Sequence, residues 1–285
     1  MRRHHPPAEA HAAAQAVCGS GMTLTPVSNR RDGGVWRAAG PLGSVAVKVG
    51  TGPQGALVAA REASVLRAGF AGSDAVLGHG RREGAAWTIT PWYEGPSTWD
   101  ALSALRRSEG DTAVAKRHVI DLCDAVAELH ATGWVHGGLQ PQHSLHTAKG
   151  VRFINCAWAW HPFRLAPSGL FTGGLPHLLA PEVARSVHNG DRPVAPSRSA
   201  EVYTVTAGLW WAITGEWPLN YAALDLDQVE LAPSELRHRI ATCRIPLRGP
   251  WMWPSVQDVL SVVLTAPPAE RPTAADLASD LRGAL

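Results

Sequence analysis

The feature that most constrains the fold is a change of periodicity at residues 91–96. Before this segment, short runs of alternating and β-branched residues are separated by turns that contain glycine, a pattern typical of β-strands. After it, apolar residues recur at helical spacing, most clearly in residues 112–131. We therefore predict an α+β architecture with a strand-rich first part, a hinge and a helical second part.

The first part also contains one predicted helix. Residues 54–68 place Ala, Glu, Leu and Arg at helical spacing. Residues 1–22 are rich in Ala, His and Pro, which indicates a flexible extension or one loose helix. The chain is thus divided into three segments: a flexible N-terminal extension at residues 1–22, a small lobe at residues 23–91 and a large lobe at residues 92–285.

The second part contains a long apolar run at residues 202–215, which includes Trp210 and Trp211. This run is too short to cross a bilayer as a helix, so we predict a buried central helix and no membrane span. The last helix is predicted to begin near Thr273, which follows Pro272 and can cap the helix N-terminus.

Charge and cysteine content exclude several classes of protein. A net charge of +2 over 285 residues, without a long basic block, argues against a nucleic-acid-binding protein. The 4 cysteines are far apart and form no C-x-x-C pair, which favours reduced thiols over a zinc site or a disulfide framework. No apolar segment of a secretory signal follows the N-terminal arginines. We therefore predict a cytoplasmic protein.

The most informative motif lies at residues 135–143, which read Val-His-Gly-Gly-Leu-Gln-Pro-Gln-His. These residues resemble the catalytic loop of protein kinases, H-R-D-L-K-P-x-N, with its framework retained in His136, Leu139 and Pro141. Residues 179–182, Leu-Ala-Pro-Glu, are similar to the A-P-E motif of the same family. The order of motifs resembles the bacterial Ser/Thr protein-kinase fold from about residue 23 onward. This resemblance implies a bilobal fold, with a β-rich N-lobe and a helical C-lobe joined by a hinge.

The chemical groups of the resembled loop are replaced. Gly138 stands where the family has its catalytic aspartate, Gln140 replaces the loop lysine, and His143 replaces the magnesium-binding asparagine. Asn155 stands in place of the aspartate of the D-F-G triplet. Because glycine cannot accept a proton and Mg²⁺ prefers carboxylate oxygen, we predict that these four degenerate positions support no catalysis.

The resemblance also implies a nucleotide site. Residues 45–48, Val-Ala-Val-Lys, are similar to the strand whose lysine contacts the α- and β-phosphates, so Lys48 takes that role and Glu62 is its ion-pair partner. An equally open alternative is a purely structural ion pair that fixes the helix. The other residues implied in nucleotide binding contact the adenine ring or belong to the hinge region: Val35, Ala46, Thr90, Trp92 and Leu145.

The glycine-rich loop of the family is altered in this chain. Residues 28–35 read Ser-Asn-Arg-Arg-Asp-Gly-Gly-Val, and only Gly33 keeps a glycine position. The backbone therefore cannot fold over phosphates in the way usual for the family. Arg30 and Arg31 are either anion ligands for a nucleotide or solvated turn residues.

Two further expectations for the large lobe come from the resemblance. Arg271, in Pro-Ala-Glu-Arg-Pro at residues 268–272, is implied as the buried ion-pair partner of Glu182, a purely structural contact in this family. Glu201 stands where the family usually has an aspartate that anchors the catalytic-loop backbone. We expect that this substitution weakens the anchoring.

Four aromatic residues crowd the segment after Asn155: Trp158, Trp160, Phe163 and Phe171. They either pack onto the large lobe or form an exposed patch that binds a partner protein. Histidines are also frequent here, and His143-x-x-His146 is a conceivable core of a metal site. No well-spaced carboxylate or cysteine completes that pair, so we predict no metal site.

We interpret the chain as a pseudokinase, a kinase-like protein without catalysis that acts as a protein-binding or allosteric module. Its partner is expected to be a protein or a peptide, and ATP or ADP, if bound, is expected to need no Mg²⁺. One alternative is an atypical ATP-dependent transferase on a kinase scaffold, for example in bacterial signalling or in the biosynthesis of peptide natural products. Another is a structural subunit whose pocket is occluded.

Overall fold

The computed structural model describes residues 5–30, 32–72, 75–107, 109, 112–228, 230–242, 244–249 and 253–284. They form a mixed α+β structure, which confirms the predicted class. The chain falls into two compact units, one containing residues up to Tyr93 together with Asn155–Trp158, the other containing Glu94–Ile154 and residues from Ala159 onward. The kinase-like arrangement of two lobes and the predicted lobe boundaries stay predictions.

The first unit is built on a five-stranded antiparallel sheet with the order β1-β2-β3-β5-β4. Its strands are β1 (Thr23–Arg30), β2 (Gly33–Gly40), β3 (Gly43–Thr51), β4 (Gly78–Arg82) and β5 (Ala85–Pro91). Because side chains alternate along a strand, Val45 and Val47 of β3 face one side of the sheet, where they are buried. Ala46 and Lys48 face the other side, which carries the candidate site.

A helix covers each face of this sheet. Helix α2 (Gly52–Arg67) packs on the face of Lys48, where Thr88 Oγ1 of β5 donates a hydrogen bond to the carbonyl of Ala59 at 3.4 Å. Helix α1 (Ala8–Cys18) packs on the opposite face. Of the two alternatives predicted for residues 1–22, the helix holds for Ala8–Cys18, and it is packed rather than loose, since Ala10 and Ala14 are fully buried. Small residues at four-residue spacing form a narrow stripe that fits closely against the sheet.

The second unit is largely helical and contains one short β-hairpin. Its elements are α3 (Thr98–Ala101), α4 (Ser103–Arg106), α5 (Thr112–Ala131), β6 (Ser144–Thr147), β7 (Gly150–Phe153), α6 (Pro181–Asn189), α7 (Arg198–Thr214), α8 (Pro233–Ala241), α9 (Pro254–Thr265) and α10 (Ala274–Ala284). Strands β6 and β7 pair in antiparallel register.

Helix α7 is the buried apolar helix that the sequence predicts. Ser197 caps its N-terminus by accepting a hydrogen bond from the backbone N–H of Ala200 at 3.0 Å. Gly215, with φ of 80°, ends the helix in the left-handed conformation that glycine adopts without strain. Trp210 is fully buried, whereas Trp211 keeps part of its surface exposed.

The predicted cap of α10 and the predicted state of the cysteines are also confirmed where the structure describes them. Thr273 Oγ1 accepts a hydrogen bond from the N–H of Asp276 at 3.2 Å, as an N-cap residue does. Cys18, Cys123 and Cys156 are buried and form no disulfide. Cys243 lies outside the described residues.

Candidate functional site

Lys48 is held by two acceptors within the first unit. From β3, its ammonium group forms an ion pair with Glu62 of α2 and donates a hydrogen bond to Asn155 Oδ1 at 2.6 Å. Glu62 is only 5% exposed, so this pair is partly desolvated and differs from an ordinary surface salt bridge. The ion pair expected from the sequence is present, and its role toward a nucleotide stays a prediction. The bond to Asn155 was not predicted.

Asn155 adopts a backbone conformation that suits its residue type. Its φ is 56°, in the left-handed region that asparagine enters more readily than most residues. Its amide is neutral and lies against the Lys48 ammonium group. Such a group offers a hard cation no negative charge, in contrast to a carboxylate at the same place.

Cys156, the next residue, contributes no reactive group. Its side chain is buried. Burial, reinforced by the negative charge of Glu62, raises the pKa of the Cys156 thiol well above its usual range. The thiol therefore stays protonated at neutral pH and is a poor nucleophile.

Four of the predicted nucleotide contacts share one face of the sheet. Val35 of β2 pairs with Lys48 of β3, and Thr90 of β5 pairs with Ala46. Paired residues in antiparallel strands point to the same side, so these four side chains form one surface. Leu145, the remaining adenine candidate, lies on β6 of the second unit.

Arg37 extends the same surface toward the end of β5. It pairs with Ala46 across β2 and β3, and its guanidinium group lies 5.0 Å from the centre of the Trp92 ring. The Trp92 backbone N–H donates to the carbonyl of Ser44 at 3.2 Å. A cation–π contact therefore covers part of the surface on which the adenine ring was expected.

The β1–β2 turn is fixed to the end of β3. The Asp32 carbonyl accepts a hydrogen bond from the N–H of Thr51 at 2.8 Å. A Cβ atom added to Gly33 would lie 2.0 Å from a carbonyl oxygen of β3, so only glycine fits there. Asp32 and Gly33 are thus held against the end of β3 by their backbone. Arg31 and the side chain of Arg30 lie outside the described residues.

In the second unit, Glu201 anchors the loop that resembles the kinase catalytic loop. Its carboxylate accepts hydrogen bonds from the backbone N–H of His136 at 3.0 Å and of Gly137 at 2.8 Å. It also contacts His130 Nε2 at 2.9 Å. Burial alone would raise the pKa of Glu201, but these hydrogen bonds hold it below its ordinary value. The carboxylate therefore reaches both backbone N–H groups, and the expected weakening of the anchor relative to an aspartate stays a prediction.

Hydrogen bonds to the main chain fix the conformation of the loop at its degenerate positions. His143 Nδ1 donates to the carbonyl of Gly138 at 3.0 Å, and the His143 N–H donates to the carbonyl of Gln140 at 2.8 Å. The His143 carbonyl in turn accepts from the N–H of Ile154 at 2.9 Å. The loop keeps a defined shape without a carboxylate at the positions where a kinase needs one.

His143 and His146, which the sequence suggested as the core of a metal site, make separate contacts with different parts of the second unit. His143 directs Nδ1 to the loop backbone. His146 instead packs against His118 of α5, with 4.4 Å between the ring centres.

The four aromatic residues predicted to bind a partner do not form one exposed patch. Phe171 is 2% exposed and belongs to the core, so its predicted role in partner binding is wrong. Trp158 and Trp160 are half-buried, and the Trp160 indole donates to the carbonyl of Pro196 at 3.1 Å. Phe163 is 92% exposed. Phe171 therefore packs as the first alternative predicts, whereas Phe163 is exposed and its role in partner binding stays a prediction.

The expected structural ion pair between Arg271 and Glu182 is present. Two guanidinium nitrogens of Arg271 donate to the two carboxylate oxygens of Glu182 at 2.6 and 2.9 Å. The Arg271 guanidinium also lies 4.9 Å from the centre of the Tyr203 ring. This bidentate geometry ties the residues after α9 to the start of α6.

The second unit contains a stacked ladder of half-buried side chains that was not predicted: Arg106, Trp99, Trp211, Trp217 and His177. Arg106 lies 3.7 Å from the centre of the Trp99 ring, and the ring centres of successive aromatic members are 4.5, 4.3 and 4.3 Å apart. We define these five residues as the aromatic ladder. They come from distant parts of the chain, and their only signal was the high tryptophan content, 12 residues.

No protein-family model matches the chain, and no curated protein matches it. The kinase resemblance therefore rests on the order of the motifs. Among the helices of the described ranges, none is long and apolar enough to cross a membrane.

Proposed function

We propose that the chain is a pseudokinase, a kinase-like protein that transfers no phosphate and acts as a protein-binding or allosteric module. Support comes from three contacts that the kinase resemblance implies as parts of the framework. These are the ion pair of Lys48 and Glu62, the anchoring of the loop by Glu201, and the bidentate pair of Glu182 and Arg271.

The observation that carries the proposal is the bond from Lys48 to Asn155. In an active kinase the corresponding residue is an aspartate that binds Mg²⁺. Here a neutral amide accepts a hydrogen bond from the lysine, and Gly138 offers no side chain to take a proton from a substrate hydroxyl group. Phosphoryl transfer depends on positioned charges, so the loss of both carboxylates removes the metal ligand and the base together.

The partner surface is proposed around Phe163. Among the four aromatic candidates it is the exposed one, and its backbone N–H donates to His161 Nδ1 at 3.1 Å, which fixes the turn that presents it. Aromatic side chains held in this way are common anchors of protein interfaces. A protein or a peptide with an apolar pocket is the kind of partner that such a residue fits.

A phosphotransfer assay tests the loss of catalysis. The full chain is incubated with γ-labelled ATP, Mg²⁺ or Mn²⁺, and generic protein substrates, beside Lys48→Ala and, as a matched control, Lys149→Ala on an exposed turn. We expect labelling of the wild type that does not exceed that of Lys48→Ala. Labelling that is lost in Lys48→Ala and kept in Lys149→Ala would contradict the proposal.

The second candidate function is an atypical ATP-dependent transferase. It is favoured by the same buried ion pair, because the family uses such a lysine to hold the α- and β-phosphates. ATP labelled on the α-phosphate distinguishes this candidate in the same assay. Transfer of that label to protein, dependent on Lys48, would indicate nucleotidyl transfer.

A further inference from the structure

Helix α5 and strand β6 bring together three possible metal ligands in the second unit: His118, Asp121 and His146. One ligand atom of each residue, a ring nitrogen or a carboxylate oxygen, lies within 4.8 Å of those of the other two. His118 and Asp121 are three residues apart on α5 and therefore lie on the same helix face. The carboxylate that the sequence did not supply for His146 thus comes from a different element.

Both histidines have a buried nitrogen that lacks a hydrogen-bond partner. Within the described ranges, neither His118 Nδ1 nor His146 Nδ1 forms a hydrogen bond. His146 is 8% exposed, so water does not readily compensate for the missing bond. Since nearly all buried polar groups in proteins are paired, two unpaired imidazole nitrogens in one cluster are candidates for binding a ligand.

A hydrogen-bond chain assigns the proton of His146. We assign the Ser144 hydroxyl hydrogen to the carbonyl of Pro141, 3.4 Å away, which directs the hydroxyl hydrogen of Thr98 to Ser144 Oγ, 2.8 Å away. Thr98 Oγ1 must then accept from His146 Nε2–H, at 2.9 Å. Nδ1 therefore carries the lone pair. A histidine whose other nitrogen donates to a neighbouring group is typical of metal ligation.

The electrostatic environment keeps both rings neutral. Burial, with a smaller contribution from His118, lowers the pKa of His146 to about 4. Burial also lowers the pKa of His118, while the charge of Asp121 acts in the opposite direction. Neutral imidazole is the form that binds metal ions, and the negative charge of Asp121 favours the binding of a cation beside it.

We propose that His118, Asp121 and His146 bind one divalent transition-metal ion. Two imidazoles and one carboxylate suit Zn²⁺, with a fourth position left for water, and do not suit Mg²⁺, which prefers oxygen ligands. The ion ties α5 to β6. The site shares no residue with the degenerate loop positions or with the Lys48 cluster.

Calorimetry with ZnCl₂ on the full, EDTA-treated chain tests the proposal. We expect one Zn²⁺ per chain, and Co²⁺ in its place should give the intense visible absorption of a tetrahedral site. His118→Gln, His146→Gln and Asp121→Asn should each weaken Zn²⁺ binding. Thr98→Val, which removes the oxygen that orients His146 and keeps the side-chain shape, should weaken binding about tenfold or more while the protein remains folded.

Two controls make the outcome decisive. His238→Gln removes one ring of a second adjacent pair, His188 and His238, which belongs to no three-ligand cluster among the described residues. A variant with His4 and His5 changed to Gln removes the N-terminal pair. Zn²⁺ binding kept in both controls and lost in the cluster variants supports the proposal. Absence of stoichiometric binding by the wild type, or equal binding by the Asp121→Asn and Thr98→Val variants, overturns it.

Discussion

At the scale of single residues, His177 makes the second unit sensitive to acid. Its ring stacks on Trp217 and its Nδ1 is hydrogen-bonded to the Tyr221 hydroxyl at 2.8 Å. Burial lowers the pKa of His177 from 6.5 to about 4. The unfolded chain therefore binds a proton at a pH where the folded protein does not. This contribution to stability is complete above pH 6.5 and is lost as the pH falls toward 4.

We expect His177→Phe to flatten this dependence, because phenylalanine keeps a stacked ring that cannot titrate. Between pH 6.5 and 4 the free energy of unfolding of the wild type should fall by about 1 to 2 kcal/mol more than that of the variant, after allowance for partial solvent exposure. Urea unfolding at several pH values measures the difference. The titration of His146 contributes equally to the pH dependence of both proteins, so it cancels in the comparison. His79→Phe, at an exposed position of β4, serves as the control. Parallel curves for wild type and His177→Phe would refute the assignment.

Predictions for single residues succeeded where a motif fixed both partners. Lys48 with Glu62, and Glu182 with Arg271, were paired from sequence because each pair has a fixed place in the resembled fold. The bond from Lys48 to Asn155 could not be derived in the same way, since the kinase resemblance implies an aspartate at this position.

At the scale of elements, α1 is a helix whose apolar pattern is too weak to predict that it packs against the sheet. Its buried stripe consists of Ala10, Ala14 and Cys18, which are small and contribute little to any measure of amphipathicity. The four-residue spacing was visible in the sequence, but alanine alone does not distinguish a packed helix from a free one. By contrast, helix α5 carries large apolar residues on one face, and its observed range, Thr112–Ala131, is the predicted one.

We expect α1 to contribute to the stability of the first unit through this stripe. Ala14→Asp would place an unpaired carboxylate against the sheet and should lower the free energy of unfolding by roughly 3 kcal/mol or more. Ala12→Asp, on the exposed side of the same helix, has the same effect on helix propensity and charge and should be nearly neutral. Equal destabilisation by the two substitutions in urea unfolding would show that α1 does not pack as described.

The cluster of His118, Asp121 and His146 escaped prediction for a reason of topology. Its members come from α5 and β6, and no spacing rule connects a helix to a strand that follows it at a distance. Sequence spacing identifies only ligands that lie near His146 along the chain. It does not identify a side chain that an adjacent element brings close in space.

At the scale of the whole molecule, we propose that the absence of aspartate at positions 138 and 155 changes how a nucleotide binds. ATP carries a charge that kinases neutralise with Mg²⁺ held by carboxylates. Gly138 and Asn155 carry no charge where the resemblance implies carboxylates, and Lys48 contacts an amide rather than a carboxylate at Asn155. A nucleotide that binds should therefore not require the cation.

Calorimetry with ATP, first in EDTA and then in excess Mg²⁺, measures this requirement. We expect dissociation constants that differ by less than about tenfold between the two conditions, and Lys48→Ala should weaken binding by about tenfold or more, because it removes a charge-assisted hydrogen bond. Lys149→Ala should bind like the wild type. Binding seen only with Mg²⁺ would contradict the charge argument. No binding in either condition would favour the structural alternative, in which the contact of Arg37 with Trp92 covers the surface.

The aromatic ladder should give the second unit a distinctive ultraviolet spectrum. Its neighbouring indole rings, with centres 4.5 and 4.3 Å apart, are close enough for their electronic transitions to couple. Coupled indole transitions in a handed arrangement produce paired circular-dichroism bands of opposite sign, mainly in the far-ultraviolet. An imidazole at one end can quench this shared excitation when it takes up a proton. The assembled ladder is thus an intrinsic spectroscopic label, which disappears once its helices and loops separate.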